Sequence, residues 1–121
     1  MRLSIDLDKT LCKLKTQDES YLDVLPMPDA VEVMRFFKSQ GYYLIIHTAR
    51  GMATYNGNVG LINIHRVPDI ITWLNKWNIP FDEIVVGKPH CDYFIDDKSV
   101  HFNTWLDVKY KILDEEKIKN T

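Results

Sequence analysis

The chain has 121 residues, of which 45% are apolar and 26% charged, the mix of a globular domain with one core rather than of a disordered segment. Fifteen basic residues against seventeen acidic ones leave a formal charge of -2, which supplies no overall positive field for a nucleic acid or an anionic membrane. The longest apolar run, Tyr42 to Ile46, is far too short to cross a bilayer, and the N-terminus enters a strand with no signal-peptide pattern, so a cytoplasmic location is expected.

Taken in chain order, Arg2 to Asp6 reads as a short strand. Ala30, Val33, Met34 and Phe37 then recur at the spacing of one helix face, with Asp29 and Glu32 at a capping-box interval before it and Gly41 as a stop. Tyr42 to His47 is the next strand, and its unbroken apolar run predicts a central position buried on both faces. Residues 51 to 65 carry three glycines after a strand end, the place where α/β domains put binding loops. A second helix is marked by Ile70, Trp73, Leu74 and Trp77, opened by Pro68-Asp69 and closed before Ile79-Pro80. Ile84 to Val86 follows as a third strand and Tyr93 to Ile95 as a fourth. Trp105, Val108 and Ile112 mark a last helix expected to fray around Glu115 to Thr121. Alternating strands and helices with no linker or repeat predict one α/β domain over residues 1–121, built on a parallel sheet.

The polar residues fall where such a sheet binds ligands. Asp6 and Asp8 end the first strand, Thr48 and Arg50 the second, Lys88 follows the third, and Asp96-Asp97 follow the fourth. Carboxyl ends of parallel strands share one edge, so seven polar groups from four segments are expected to converge on one crevice. Two adjacent carboxylates after a buried strand are costly without a cation, and with Asp6 nearby a Mg2+ site is the simplest remedy. His47, His65, His90 and His101, with Cys12 and Cys91, show none of the paired spacings of structural zinc, and the two thiols are expected to be reduced.

At these residues the chain resembles the haloacid dehalogenase superfamily, most of whose members are phosphatases. Asp6-Leu-Asp8-Lys-Thr10-Leu matches the DxDxT signature, and Thr48, Lys88 and Tyr93-Phe-Ile-Asp96-Asp97 are similar to its second, third and fourth motifs. More narrowly, His47-Thr-Ala-Arg50, the Tyr55-Asn-Gly-Asn-Val-Gly60 loop with Ile62-Asn-Ile-His65, and Val86-Gly-Lys-Pro89 resemble small proteins of capsular polysaccharide biosynthesis. The resemblance implies a Rossmann-like three-layer sandwich around a central parallel sheet. Neither gap after the first two motifs has room for a large cap domain. The chain departs from the pattern at Lys9, where glycine is common, and in the short Gly87 to Asp92 link, which has no room for a helix but is expected to allow an extended crossing of about three strand spacings.

What the resemblance implies for chemistry follows residue by residue. Asp6 becomes the nucleophile of an aspartyl-phosphate mechanism, and Asp8 the general acid and base. Thr48 with the neighbouring Ala49 backbone, Thr10, Arg50 and Lys88 meet the phosphoryl oxygens. Mg2+ is held by Asp6, Asp8 and Asp96, with Asp97 in support. The expected substrate is a small phosphorylated molecule, a sugar phosphate or related glycan precursor. Phosphoryl transfer to another acceptor, as in a phosphotransferase or phosphomutase, uses the same motifs and stays open. A phospho-accepting receiver domain is disfavoured by motif order. Residues 11 to 27 and 51 to 65 are the segments expected to select the substrate. Met52, Tyr55, Val59, Leu61, Ile62 and Ile64 predict that the second segment packs against another subunit of a homo-oligomer.

Overall fold

The computed structural model describes residues 1–120. Its sheet holds three parallel strands in the order β1 (Arg2–Ile5), β2 (Tyr43–Thr48), β3 (Glu83–Val86). Ile5 lies level with Ile46, and Ile46 with Ile84. Four helices accompany the strands: α1 (Ala30–Ser39), α2 (Val59–His65), α3 (Val67–Lys76) and α4 (Trp105–Lys119). The order β1-α1-β2, then two helices, then β3 is that of a Rossmann-like α/β unit.

α1 buries Ala30, Val33, Met34 and Phe37, the stripe that its spacing predicts. Its start differs from expectation. Asp29 sits at φ 64 and its side chain caps nothing, so the Asp29–Glu32 interval is not a capping box here. Gly41, at φ 83, ends the helix in the left-handed conformation that glycine adopts without steric cost. α3 takes Pro68 in its first turn and buries Ile70, Trp73 and Leu74, and the Trp73 Nε1–H donates to the Val24 carbonyl at 2.7 Å, which ties the segment before α1 to the core. α4 packs on α1, inserts the buried Trp105, and continues to Lys119 through most of the stretch expected to fray. Thr121 lies outside the described residues.

The core occupies one face of the sheet. Leu44, Ile46 and Thr48 on β2 are buried, whereas the alternate residues Tyr43, Ile45 and His47 are half-buried, so β2 is not covered on both sides as its apolar run suggests. The same alternation leaves Arg2 and Ser4 on β1 and Val85 on β3 exposed. A sheet buried on one face reads as a period of two in burial, and α4 sits on α1 without closing the opposite face. The three-layer sandwich expected from the resemblance is therefore incomplete within one chain.

Two segments depart further. Part of the 51–65 stretch is the helix α2, capped by the Asn58 side chain on the Leu61 N–H. Ile62 points into the core, and Tyr55 stacks on His65. Of the six apolar residues expected at a subunit contact, Val59, Leu61 and Ile64 are the exposed ones. The fourth strand is not formed. Every residue from Cys91 to Ser99 is exposed, with Tyr93 at 87% and Ile95 at 100% of full exposure, and the segment pairs with no strand among the described residues.

Candidate active site

The site grows from the end of β1. Leu7 and Leu11 are fully buried, and Leu7 anchors a tight turn in which its carbonyl accepts from the N–H groups of Thr10, Leu11 and Cys12. With Leu7 held in the core, the flanking Asp6 and Asp8 side chains turn outward into one crevice. Lys9 completes the turn at φ 64 and donates its N–H to the Cys12 carbonyl at 2.9 Å. It adopts the left-handed conformation for which glycine is the usual choice, so the loop geometry survives the Lys9 departure at a steric cost. Thr10, expected at the phosphoryl oxygens, does not wall the crevice; its carbonyl accepts from the Trp105 Nε1–H at 2.7 Å.

The end of β2 supplies the opposite wall. The buried Thr48 hydroxyl accepts from the Arg50 N–H at 3.0 Å, which shapes the turn through Ala49, and the Thr48 carbonyl accepts from the Lys88 N–H at 3.2 Å. Arg50, only 8% exposed, grips Asp8 with two bonds, Nη2 to Oδ1 at 2.7 Å and Nε to Oδ2 at 3.2 Å. Its guanidinium also stacks over the Tyr21 ring at 4.0 Å. Such a two-pronged contact fixes orientation as well as charge. Arg50 was expected to face substrate; the structure commits it to Asp8. Gly51, at φ 87, lets the chain turn here, since a Cβ would approach the Ile62 and Arg66 side chains to 3.1 and 3.2 Å.

From beyond β3, Lys88 places its ammonium 3.7 Å from Asp6 Oδ2, while Asp6 Oδ1 accepts from the Leu7 N–H at 2.8 Å. The neighbouring His47 imidazole is held below its ordinary value by burial first and by the Lys88 cation second, with Asp6 acting the other way. Beneath Asp8, burial pushes the Cys12 thiol up to about 12, and the adjacent Asp8 charge acts in the same direction. Cys12 is therefore a protonated packing group and not a nucleophile at neutral pH.

The crevice encloses about 370 Å³ and is walled by Asp6, Asp8, Ala49, Arg50, Gly51 and also by Leu14, Lys15, Tyr21, Ala53, Thr54 and His90. A shallower hollow of about 490 Å³ lies against Arg35, Lys38, Asn78 and Pro80, away from these carboxylates. We take the smaller crevice as the site, because charged groups from three strand ends meet there. Leu14, Lys15 and Tyr21 come from the 11–27 segment and Ala53 and Thr54 from the 51–65 segment, the two regions expected to touch a ligand. The sequence gives no signal for Tyr21 as the platform under Arg50, because a lone aromatic in a loop has no periodicity to mark it.

Asp96 and Asp97 do not reach the crevice. Both are exposed, Asp96 is occupied with the Lys98 N–H at 2.7 Å, and no three His, Cys, Asp or Glu side chains gather as a metal-holding group among the described residues. Four segments were expected to converge; three do.

No family model matches the chain, and no curated protein matches it. Among solved structures it is similar to an MCSG target from Vibrio cholerae, at 42% identity over 95% of this chain and 98% of that one, with a TM-score of 0.77. It is also similar, at 22% identity and a TM-score of 0.49, to a chain of the Pnkp1/Rnl/Hen1 complex, and at 21% and 0.48 to a chain of the Pnkp1/Rnl/Hen1 RNA repair complex. It covers 34% and 32% of those longer chains, and likeness at that level carries no inference. With two-fifths of its residues identical over nearly the full length of both chains, the protein belongs to one family with the Vibrio cholerae protein.

Proposed function

We propose that the crevice is the active site of a phosphoric monoester hydrolase of the haloacid dehalogenase type, with Asp6 as its nucleophile. One observation carries this reading. Asp6 and Asp8 flank the buried Leu7 and open on the same crevice at the end of β1, with the Lys88 ammonium 3.7 Å from the first and Arg50 gripping the second.

In the first step an Asp6 carboxylate oxygen attacks phosphorus in line and the P–O bond to the alcohol breaks. Asp8 delivers a proton to the departing oxygen, leaving an acyl phosphate on Asp6. In the second step Asp8 takes a proton from water, the hydroxide attacks phosphorus, and inorganic phosphate leaves with Asp6 restored. Lys88 offsets the charge that collects on the phosphoryl oxygens, and the Ala49 and Gly51 N–H groups serve the same oxygens, the Arg50 N–H being taken by the Thr48 hydroxyl. Arg50 is a positioning residue: it holds the Asp8 carboxylate in one orientation through both proton transfers.

Mg2+ is the cation that this chemistry requires in the superfamily, and one chain does not present its donor set. Asp6 and Asp8 are in place, but Asp8 is bound to Arg50 and Asp96 lies outside the crevice. The substrate class that fits is a sugar phosphate or related glycan precursor. The crevice sets the polar side chains of Lys15, Thr54 and His90 beside the Tyr21 ring, and it is open enough for a bulky alcohol.

Phosphate release by the purified chain, over sugar phosphates, nucleotides and phosphorylated polyols with Mg2+ present, tests the reading. Turnover is expected on at least one class, falling more than about a thousandfold in Asp6→Asn. Silence across the panel, or an Asp6→Asn chain as active as the parent, rejects it. Turnover that depends strictly on an added acceptor converts it to phosphotransfer.

A further inference from the structure

The segment after β3 leaves a contradiction that geometry resolves. A fourth parallel strand at Tyr93 to Ile95 that brings Asp96 level with Asp6 also brings Tyr93 level with Leu3, beyond the outer edge of β1. Lys88 is fixed at the other end of the sheet: its N–H is bonded to the Thr48 carbonyl and its ammonium lies by Asp6. The register places Leu3 level with Leu44 and Ile45 level with Glu83, so Lys88 stands six positions above that starting level, on the far strand.

Six positions along the strand and three strand spacings across it make a straight path of about 24 Å. The five residues from Lys88 to Tyr93 span at most about 18 Å when fully extended. One chain therefore cannot keep Lys88 at the crevice and pair Tyr93 to Ile95 with its own β1. The structure agrees. Phe94 lies 4.7 Å from the Lys88 ammonium and His90 walls the crevice, so this segment stays at the carboxyl ends of the strands, where no parallel strand can begin. β1 is left as an edge, and beyond the crevice lie an exposed Tyr93, Phe94 and Ile95.

We infer that the strand Tyr93 to Ile95 is exchanged between two copies of this chain, each pairing with the other's β1 and delivering Asp96 to the other's Asp6 crevice. A link too short to close on its own body favours such an exchange. Two-fold closure satisfies both open β1 edges at once and removes an apolar triplet from water. The delivered Asp96 completes the carboxylate set that one chain lacks. That last clause rests on the phosphatase reading; the strand exchange does not.

The test separates the two. Parallel pairing with Asp96 level with Asp6 sets Phe94 beside Ser4, at a strand spacing of about 4.8 Å, within reach of a disulfide. Ser4→Cys with Phe94→Cys, in a Cys91→Ser background and mildly oxidised, is expected to give a covalent dimer. A cross-link confined to one chain, or none, overturns the exchange. Light scattering of the parent protein checks the same point should the variant fail to fold: a dimer is expected, and a clean monomer at working concentration overturns it. Refolding Asp6→Asn together with Asp96→Asn, each inactive alone, is expected to restore about one quarter of parental phosphate release, since half of random dimers are mixed and half of their sites intact. Active parent with an inactive mixture overturns the delivery of Asp96. Inactive parent with a covalent dimer rejects the phosphatase reading and keeps the exchange.

Discussion

Asp8 and Arg50 form the interaction on which the site's geometry turns. Arg50's side chain is 5% exposed against 32% for Asp8, so removing Arg50 leaves a carboxylate that water can partly reach, whereas removing Asp8 strands a guanidinium. Breaking a buried pair by deleting one partner is strongly destabilising, and the partial exposure of Asp8 moderates it. Arg50→Ala is expected to cost about 3 kcal/mol in urea unfolding and more than about tenfold in kcat/KM, although Asp8 itself remains. Arg50→Lys should recover stability before activity, because an ammonium supplies the charge without the two-pronged grip. An Arg50→Ala protein with unchanged unfolding midpoint contradicts the pair. The pairing was not readable in the sequence: Asp8 and Arg50 lie in different segments, and nothing in either segment says that they choose each other rather than a ligand. The DxD spacing was readable, because an extended chain sends alternate side chains the same way and Leu7 has the apolar character to take the inward place.

Elements with a periodic apolar face were legible. α1, α3 and α4 appear where Ala30 to Phe37, Ile70 to Trp77 and Trp105 to Ile112 place them, and β1, β2 and β3 match their runs to within a residue or two. α2 was hidden because it is short, contains Gly60 and buries only Ile62, too little to set a period. Tyr93 to Ile95 was misread for a different reason. An apolar triplet before Asp-Asp has the composition of a strand wherever its neighbour lies, and sequence does not say whether that neighbour is in the same chain. Contacts between elements carry a further prediction at Asp82, which joins the end of α1 to the start of β3. Its carboxylate accepts from Lys38 Nζ at 2.6 Å and from the Leu44 N–H at 2.7 Å, and these bonds, the Lys38 one first, hold it below the usual carboxylate value. A group depressed on folding binds fewer protons folded than unfolded. Its contribution is full above the unfolded value and is lost as pH falls through the folded one. Asp82→Asn should therefore lower the urea midpoint at pH 7 and lower it progressively less as the pH is taken down through the carboxylate range. A difference between the two proteins that is constant with pH contradicts the assignment.

At the scale of the whole molecule, a small α/β body with a core on one sheet face carries a polar crevice where three strand ends meet. That much follows from alternating elements and from the placement of Asp6, Asp8, Thr48, Arg50 and Lys88 at strand ends. The half-exposed second face, the open β1 edge and Asp96's place outside the crevice were not legible, because composition and periodicity do not say which elements come to lie side by side. Among the described residues no helix is long and apolar enough to cross a membrane. The proposed reaction makes an Asp6 carboxylate oxygen the nucleophile at phosphorus, and the location of the phosphoryl group during turnover decides whether it is. Acid quenching of the protein with a turned-over substrate, followed by peptide mass spectrometry, is expected to find an acyl phosphate on the peptide containing Asp6, absent from Asp6→Asn and discharged by hydroxylamine. Turnover with no phosphoryl group on the chain, or one carried at Asp8 or a histidine, contradicts it.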